Sequence, residues 1–247
     1  MSKLDLIMKD RYIKNIDEIL TEKLQEEILT KKIAVIGCGG QGGYILEFLA
    51  RLGVKSIIFW DGDYFEITNL NRQNCTINSI GKNKVEELEG RLKLINPDIE
   101  YYSRNWFFGQ KNTDFEEILK VDFIFYAADC YYNIKELRSI LRKAIEKGIP
   151  LIDCPVTVLG GYVRIETLND FGHFDQTTLE LINQSYQNQN LNIKINQSAY
   201  KCAYIAAEAI NEMILYFSNS KFACIDTDLI IDIYHHKMTQ RDKFGFF

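Results

Sequence analysis

The feature that most constrains this chain is Lys32 to Ile36 (KIAVI), a short apolar run that passes directly into Gly37-Cys38-Gly39-Gly40-Gln41-Gly42. An apolar-periodic stretch through Leu46, Leu49 and Leu52 follows, so the pattern reads as strand, tight turn and helix. Val54 to Trp60 (VKSIIFW) is β-branched and aromatic, ends in Asp61-Gly62-Asp63, and completes a βαβ unit. Glycines at such a turn let the backbone approach a polyphosphate, and the helix start adds N–H donors with partial positive charge. Asp61 and Asp63 stand where a carboxylate accepts hydrogen bonds from ribose hydroxyls. Gly37, Gly39, Gly40 and Gly42, with Asp61 and Asp63, are therefore the candidate nucleotide-binding set. Glycine-rich turns also serve close packing, and NAD-dependent oxidoreductases share every feature named so far.

The rest of the chain continues the alternation. Ile16, Ile19, Leu20, Leu24 and Ile28 recur at helical spacing and predict an amphipathic helix ahead of the first strand. Further helices are expected near 81–94 and 132–147, with strands near 98–103 and over 121–128 (VDFIFYAA). Alternating strands and helices predict an α/β fold with a doubly wound, Rossmann-like, mostly parallel sheet. Residues 149–167 read as strand, turn and strand with no helix between them, so the C-terminal strands make the sheet mixed. Residues 183–197 are rich in Asn and Gln and read as a long crossing loop, functional or a surface insertion, before a helix around 199–217. A strand at 229–234 and a charged, aromatic tail close the chain. The expected organisation is an N-terminal helical segment, 1–30, followed by one nucleotide-binding domain, 31–247.

Composition narrows the function. With 247 residues, 47% of them hydrophobic and only three prolines, the chain supports one substantial core. The net charge of -5 argues against nucleic acid, which selects clustered Lys and Arg. No run of about 18 apolar residues occurs and the start is charged throughout, so neither a membrane span nor a signal peptide is expected and a cytoplasmic protein is. The six cysteines, at 38, 75, 130, 154, 202 and 224, form no Cys-x-x-Cys pair, and no zinc site is expected.

What separates ATP from NAD is Asn69-Leu70-Asn71-Arg72-Gln73, directly after the acidic strand end, and Gly81-Lys82-Asn83-Lys84 at the next helix start. A triphosphate attacked at its α-phosphorus develops charge that Arg72 and Lys84 suit, whereas a dinucleotide pyrophosphate needs little beyond the turn. Ordinary surface charge is the competing explanation for both residues. Asp129 closes the apolar run 121–128, at the sheet edge where α/β folds place ligands, and Asp also favours helix N-caps.

With these elements in place, Lys32 to Lys84 resembles the core of the ThiF/MoeB/HesA family of ubiquitin-activating-type enzymes. The GxGGxG turn, the Asp-x-Asp strand end, the Asn-Leu-x-Arg-Gln segment and the Gly-x-x-Lys helix start stand in the family's order and spacing. The resemblance extends more loosely to about residue 235. It implies ATP-dependent adenylation of a carboxylate with release of pyrophosphate, the carboxylate belonging to the C-terminus of a ubiquitin-fold protein, a peptide or a small acid. It also implies Mg²⁺ held by Asp129, ATP contacts from Asn69, Arg72, Gln73 and Lys84, and a homodimer. In the family, an Arg-Tyr-x-Arg segment near the N-terminus sends its second arginine into the partner subunit's site.

Two departures qualify this. The matching stretch is Arg11-Tyr12-Ile13-Lys14, and lysine keeps the charge but loses the planar fork, so the role falls to Lys14 or shifts to Arg11. Cys130 and Ile134 stand where relatives carry Asn and Arg. Some relatives use a nucleophilic cysteine near the crossing loop. Cys202 is the matching candidate, at a helix start expected to lower its pKa, and buried apolar filler is the alternative. Cys154 is a second candidate, and Cys38 is expected only to pack. Adjacent His235 and His236 are poor joint ligands if they lie on a strand, and His173 has no evident partner. A non-catalytic family member serving as a nucleotide- or partner-binding subunit is the main competing function; an NAD-dependent oxidoreductase is the other.

Overall fold

A computed structural model of the chain describes residues 10–128, 134–156, 160–167 and 197–241. Eight strands form one sheet in the order β3-β2-β1-β4-β5-β6-β7-β8. They are β1 (Lys32–Ile36), β2 (Ser56–Trp60), β3 (Glu100–Arg104), β4 (Phe123–Tyr126), β5 (Leu151–Asp153), β6 (Gly160–Glu166), β7 (Asp228–Asp232) and β8 (Lys237–Arg241). The first five are parallel, and β6, β7 and β8 are antiparallel to their neighbours. The expected α/β architecture, mostly parallel and mixed at the C-terminal end, is what forms.

The helices described are α1 (Glu22–Ile28), α2 (Gly40–Leu52), α3 (Lys84–Ile95), α4 (Asn112–Ile118), α5 (Ile134–Glu146) and α6 (Ala199–Phe217). β1, β2 and β4 are apolar without alternation because helices cover both faces of the sheet. On one face Ile33, Val35, Ile57, Phe59, Phe123 and Phe125 pack with α1, α2, α3 and α6. On the other, Ala34, Ile36, Ile58, Trp60 and Ile124 pack with Ile118 of α4 and Leu141, Ala144 and Ile145 of α5. The strand order reverses between β1 and β4, which opens a crevice beyond their carboxyl ends where such sheets bind ligands.

The N-terminal helix is shorter than its periodicity predicts. Asp17 accepts the backbone N–H groups of Ile19 and Leu20, each at 2.7 Å, a local turn that competes with helix. Thr21 then caps α1 through Leu24 N. Leu20, Leu24 and Ile28 join the core, but Ile16 and Ile19 are exposed. Two elements lie where no regular structure is predicted: α4, and β8 in what reads as a tail. The strand expected at 229–234 stops at Asp232, and His235 and His236 form the turn into β8, with His235 bonded to Asp232 instead of lying on a strand. The crossing loop as far as residue 196, with His173, lies outside the described residues, as do Asp129 and Cys130. No helix among the described residues is long and apolar enough to cross a membrane.

Candidate nucleotide site

The glycines of the turn divide into two kinds. Gly37 has φ +91°, and a methyl group there would lie 2.7 Å from the Ala128 backbone at the end of β4. At Gly42 it would lie 1.9 Å from the Gly37 carbonyl oxygen. These two positions are required by the chain's own packing. Gly39, the N-cap of α2, is different: a methyl group would meet only Gln73 Nε2, at 3.9 Å, and no side chain caps the helix there. At Gly39 the helix start therefore has room beside its backbone and no side-chain cap on its first N–H groups.

Asp61 closes the turn from the end of β2. Its Oδ2 accepts Cys38 N at 2.8 Å and its Oδ1 accepts Asp63 N at 2.9 Å. Burial pushes its pKa up, against the opposing pull of Lys84. Asp61 is occupied in shaping the backbone, which leaves Asp63 as the carboxylate accessible to a ribose.

The segment from Asp63 to Lys84 folds back on itself around the buried Phe65. Phe65 N donates to Lys82 O, Gly81 N to Phe65 O, and Lys84 N to Asp63 O. Asn83 caps α3 through Val85 N and Glu86 N. This closure seats Lys84 Nζ 3.0 Å from Asp63 Oδ2. Asn69 is buried and its amide oxygen accepts Glu66 N at 3.0 Å, so it holds the short turn that carries Arg72 and Gln73.

Arg72 and Gln73 then lie over consecutive glycines. Gln73 is buried against Gly39 with its Oε1 unpartnered, while the stem of Arg72 crosses Gly40. Arg72 Nε donates to Gln197 Oε1 at 3.0 Å, and Nη1 to Thr68 O and Asn71 Oδ1. Backbone donors and two cations fit a polyphosphate-bearing ligand at this helix start, whereas the unpartnered Gln73 Oε1, an acceptor, suits a hydroxyl or N–H group of a ligand and not its phosphates.

Cys202 also reaches the turn: a methyl at Gly40 would lie 3.0 Å from its Sγ. The expected lowering of its pKa by the helix start is corrected by the structure. Cys202 is buried, and desolvation raises its pKa despite the nearby Arg72. Cys154 and Cys38 are likewise buried, with pKa values pushed up by burial. Gln41, which the sequence reading did not single out, donates to Cys154 O and ties α2 to the end of β5. A polar residue inside an otherwise small and apolar turn is the signal that marks it.

Arg11 is placed elsewhere. It bonds Asn96 Oδ1 and Asp98 Oδ2 of its own chain, and neighbouring Tyr12 accepts Asn96 Nδ2 at 2.8 Å. Tyr12 fills the space beside Gly53, the C-cap of α2. The thirteen residues of α2 put that point roughly 20 Å from the glycine turn, at 1.5 Å per residue. Lys14 is exposed and has no ion pair among the described residues, with Ile13 and Ile16 exposed beside it.

The chain is 31% identical over 129 residues to a tRNA threonylcarbamoyladenosine dehydratase of Bacillus subtilis (strain 168), covering 51% of this chain and 49% of that protein. It is 38% identical over 84 residues to ubiquitin-like modifier-activating enzyme 5 of Culex quinquefasciatus, covering 34% of this chain and 21% of that one. The chain thus spans half or less of the length of these relatives. Two solved structures share its fold: PaaA, with TM-score 0.76 and 20% identity over 100% of this chain and 76% of that one, and E. coli MccB with ATP, with TM-score 0.75 and 20% identity over 94% and 71%. A model of the ThiF family matches residues 10–243, and the chain belongs to that family, whose members are E1-like adenylyltransferases.

Proposed function

We propose that this chain adenylates a carboxylate with ATP and Mg²⁺. A carboxylate oxygen attacks the α-phosphorus, the bond to the β-phosphate bridging oxygen breaks, pyrophosphate leaves and an acyl-adenylate forms. The observation that carries this reading is the uncapped start of α2 at Gly39, open to a ligand and faced by Gln73, with Arg72 crossing at Gly40. In this reading the helix N–H groups and Arg72 hold phosphate, Lys84 and Asp63 serve the nucleotide beside them, and Asp129 holds Mg²⁺. The 31–247 stretch is the adenylating domain of a cytoplasmic enzyme, and the 1–30 segment serves assembly. The carboxylate that receives the adenylyl group is the C-terminus of a ubiquitin-fold protein or peptide, or a small acid. That E. coli MccB carries ATP in a structure of this fold supports the choice of nucleotide.

Assembly is part of the proposal. Arg11 is anchored far from its own glycine turn, whereas Lys14 is exposed, has no ion pair among the described residues and is flanked by exposed isoleucines, which supports a homodimer in which Lys14 enters the partner's site. The lysine in place of arginine also favours a second reading, a weakly catalytic subunit that binds nucleotide for a partner. ATP–pyrophosphate exchange with candidate carboxylates, including peptides and a ubiquitin-fold protein ending in Gly-Gly, tests both. Exchange with any of them supports the enzyme; ATP binding without exchange across the panel supports the subunit.

A further inference from the structure

Gln197 stands immediately before the cap of α6, 125 residues from Arg72 in sequence, yet consecutive residues of the Asn71-Arg72 pair grip it. Asn71 Nδ2 donates to Gln197 O at 3.2 Å, and Arg72 Nε donates to Gln197 Oε1 at 3.0 Å. The opposite edge of the same guanidinium is fixed by Nη1, which reaches Thr68 O at 3.2 Å and Asn71 Oδ1 at 3.0 Å. Among the described residues nothing takes Nη2. The stem has little freedom either: a methyl at Gly40 would lie 3.3 Å from Arg72 Cγ and 3.5 Å from Cδ, so the side chain runs across the start of α2. A planar fork held at Nε and at Nη1 has one orientation left, and its remaining nitrogen is the one available to a ligand.

We infer that Gln197 is a positioning residue for phosphate recognition: it acts through Arg72, fixing the guanidinium so that Nη2 meets a nucleotide phosphate at the α2 start. The inference rests on the nucleotide reading proposed above and adds to it a residue from the far end of the fold. An arginine oriented before the ligand arrives loses less rotamer freedom on binding, so part of the ordering cost is met during folding. The grip on Gln197 O by Asn71 also fixes the chain just ahead of α6, and Cys202 one turn later packs on Gly40, so the acceptor and the glycine turn share one rigid support.

The isosteric change Gln197→Met removes the acceptor while keeping length and bulk. Binding of Mg–ATP and of adenosine is measured by calorimetry on the full chain for wild type, Gln197→Met, Arg72→Met and the double variant. ATP affinity is expected to fall about tenfold in Gln197→Met, the scale of one hydrogen bond to a charged group. Adenosine, which lacks phosphate, should bind as in wild type. In the Arg72→Met background the Gln197 change should have no further effect, because a residue that acts through another is not additive with it. An equal loss for adenosine, or additive losses for ATP, overturns the inference and leaves the nucleotide reading standing. Failure of wild type to bind Mg–ATP overturns both.

Discussion

The Lys84 ammonium lies 3.0 Å from Asp63 Oδ2, with the lysine side chain 8% exposed and the aspartate 54% exposed. The pair is asymmetric: the protein buries the cation and leaves the carboxylate turned toward solvent. A pair kept only for stability gains little from a carboxylate so exposed, so the geometry suits a lysine held for a ligand. Lys84→Met should lower pyrophosphate exchange about 100-fold, the scale of one lost electrostatic contact at a reacting phosphate. Its thermal midpoint should move little, since the backbone bond from Lys84 N to Asp63 O remains. Exchange at the wild-type rate would remove Lys84 from the site.

The two kinds of glycine separate in the same way. Gly42→Ala forces a methyl to within 1.9 Å of Gly37 O and should destabilise by about 3 kcal/mol or more, read by denaturant titration. Gly39→Ala meets only Gln73 Nε2 at 3.9 Å, so the fold should hold while stabilisation by Mg–ATP in a thermal scan disappears. An ATP-dependent shift that survives in Gly39→Ala would place the ligand elsewhere.

Arg11 and Lys14 should behave oppositely. Arg11→Ala and Tyr12→Phe should each lower stability by roughly 1 kcal/mol, because both groups bond Asn96. Lys14→Ala should leave the thermal midpoint unchanged and reduce exchange. Mixing Lys14→Ala with Lys84→Met chains should recover about a quarter of wild-type activity, since half of randomly paired dimers carry one intact site. A mixture with no recovery argues against a site completed in trans.

Stability should also fall with rising pH because of two acids on β5 and β6. Burial pushes Asp153 up to about 6, although Tyr162 OH donates to it at 2.8 Å. Burial pushes Glu166 to about 8, although Arg164 lies 2.7 Å away. A carboxyl whose folded pKa is raised favours the native state below its unfolded pKa, near 4 for these residues, and that contribution is lost as pH climbs through the folded value. The thermal midpoint of Glu166→Gln and Asp153→Asn should therefore vary less than wild type between about pH 4 and pH 8. Identical pH profiles for wild type and both variants would show that neither acid titrates there.

Much of this molecule is legible without coordinates because its signals are local. The apolar run KIAVI, the glycine turn and the α6 stretch each carry their own period and punctuation, and the structure reproduces α6 as Ala199–Phe217. Where the period misled, a side chain intervened: Asp17 bonds two backbone N–H groups and ends the helical stretch that the isoleucines suggest. α4 escaped notice for a related reason, since only seven residues form it and its main support is Asp114, which is buried and accepts the indole N–H groups of Trp60 and Trp106.

Residue types and their order were enough to mark a candidate nucleotide site, because glycines, acids and cations at fixed spacing after a strand serve few other chemistries. Which of those residues remain available to a ligand was decided by tertiary contacts. Asp61 looked equivalent to Asp63 but is spent on Cys38 and Asp63 N–H groups; Gly39 looked like Gly42 but alone is open; Cys202 looked activated by its helix start and is raised by burial instead. Gln197 closes the Asn- and Gln-rich stretch 183–197, but nothing in the sequence pairs it with Arg72, 125 positions away. Spacing along the chain encodes local geometry, whereas desolvation and long-range hydrogen bonds exist only once distant segments pack, and those determine which polar groups are left free to act.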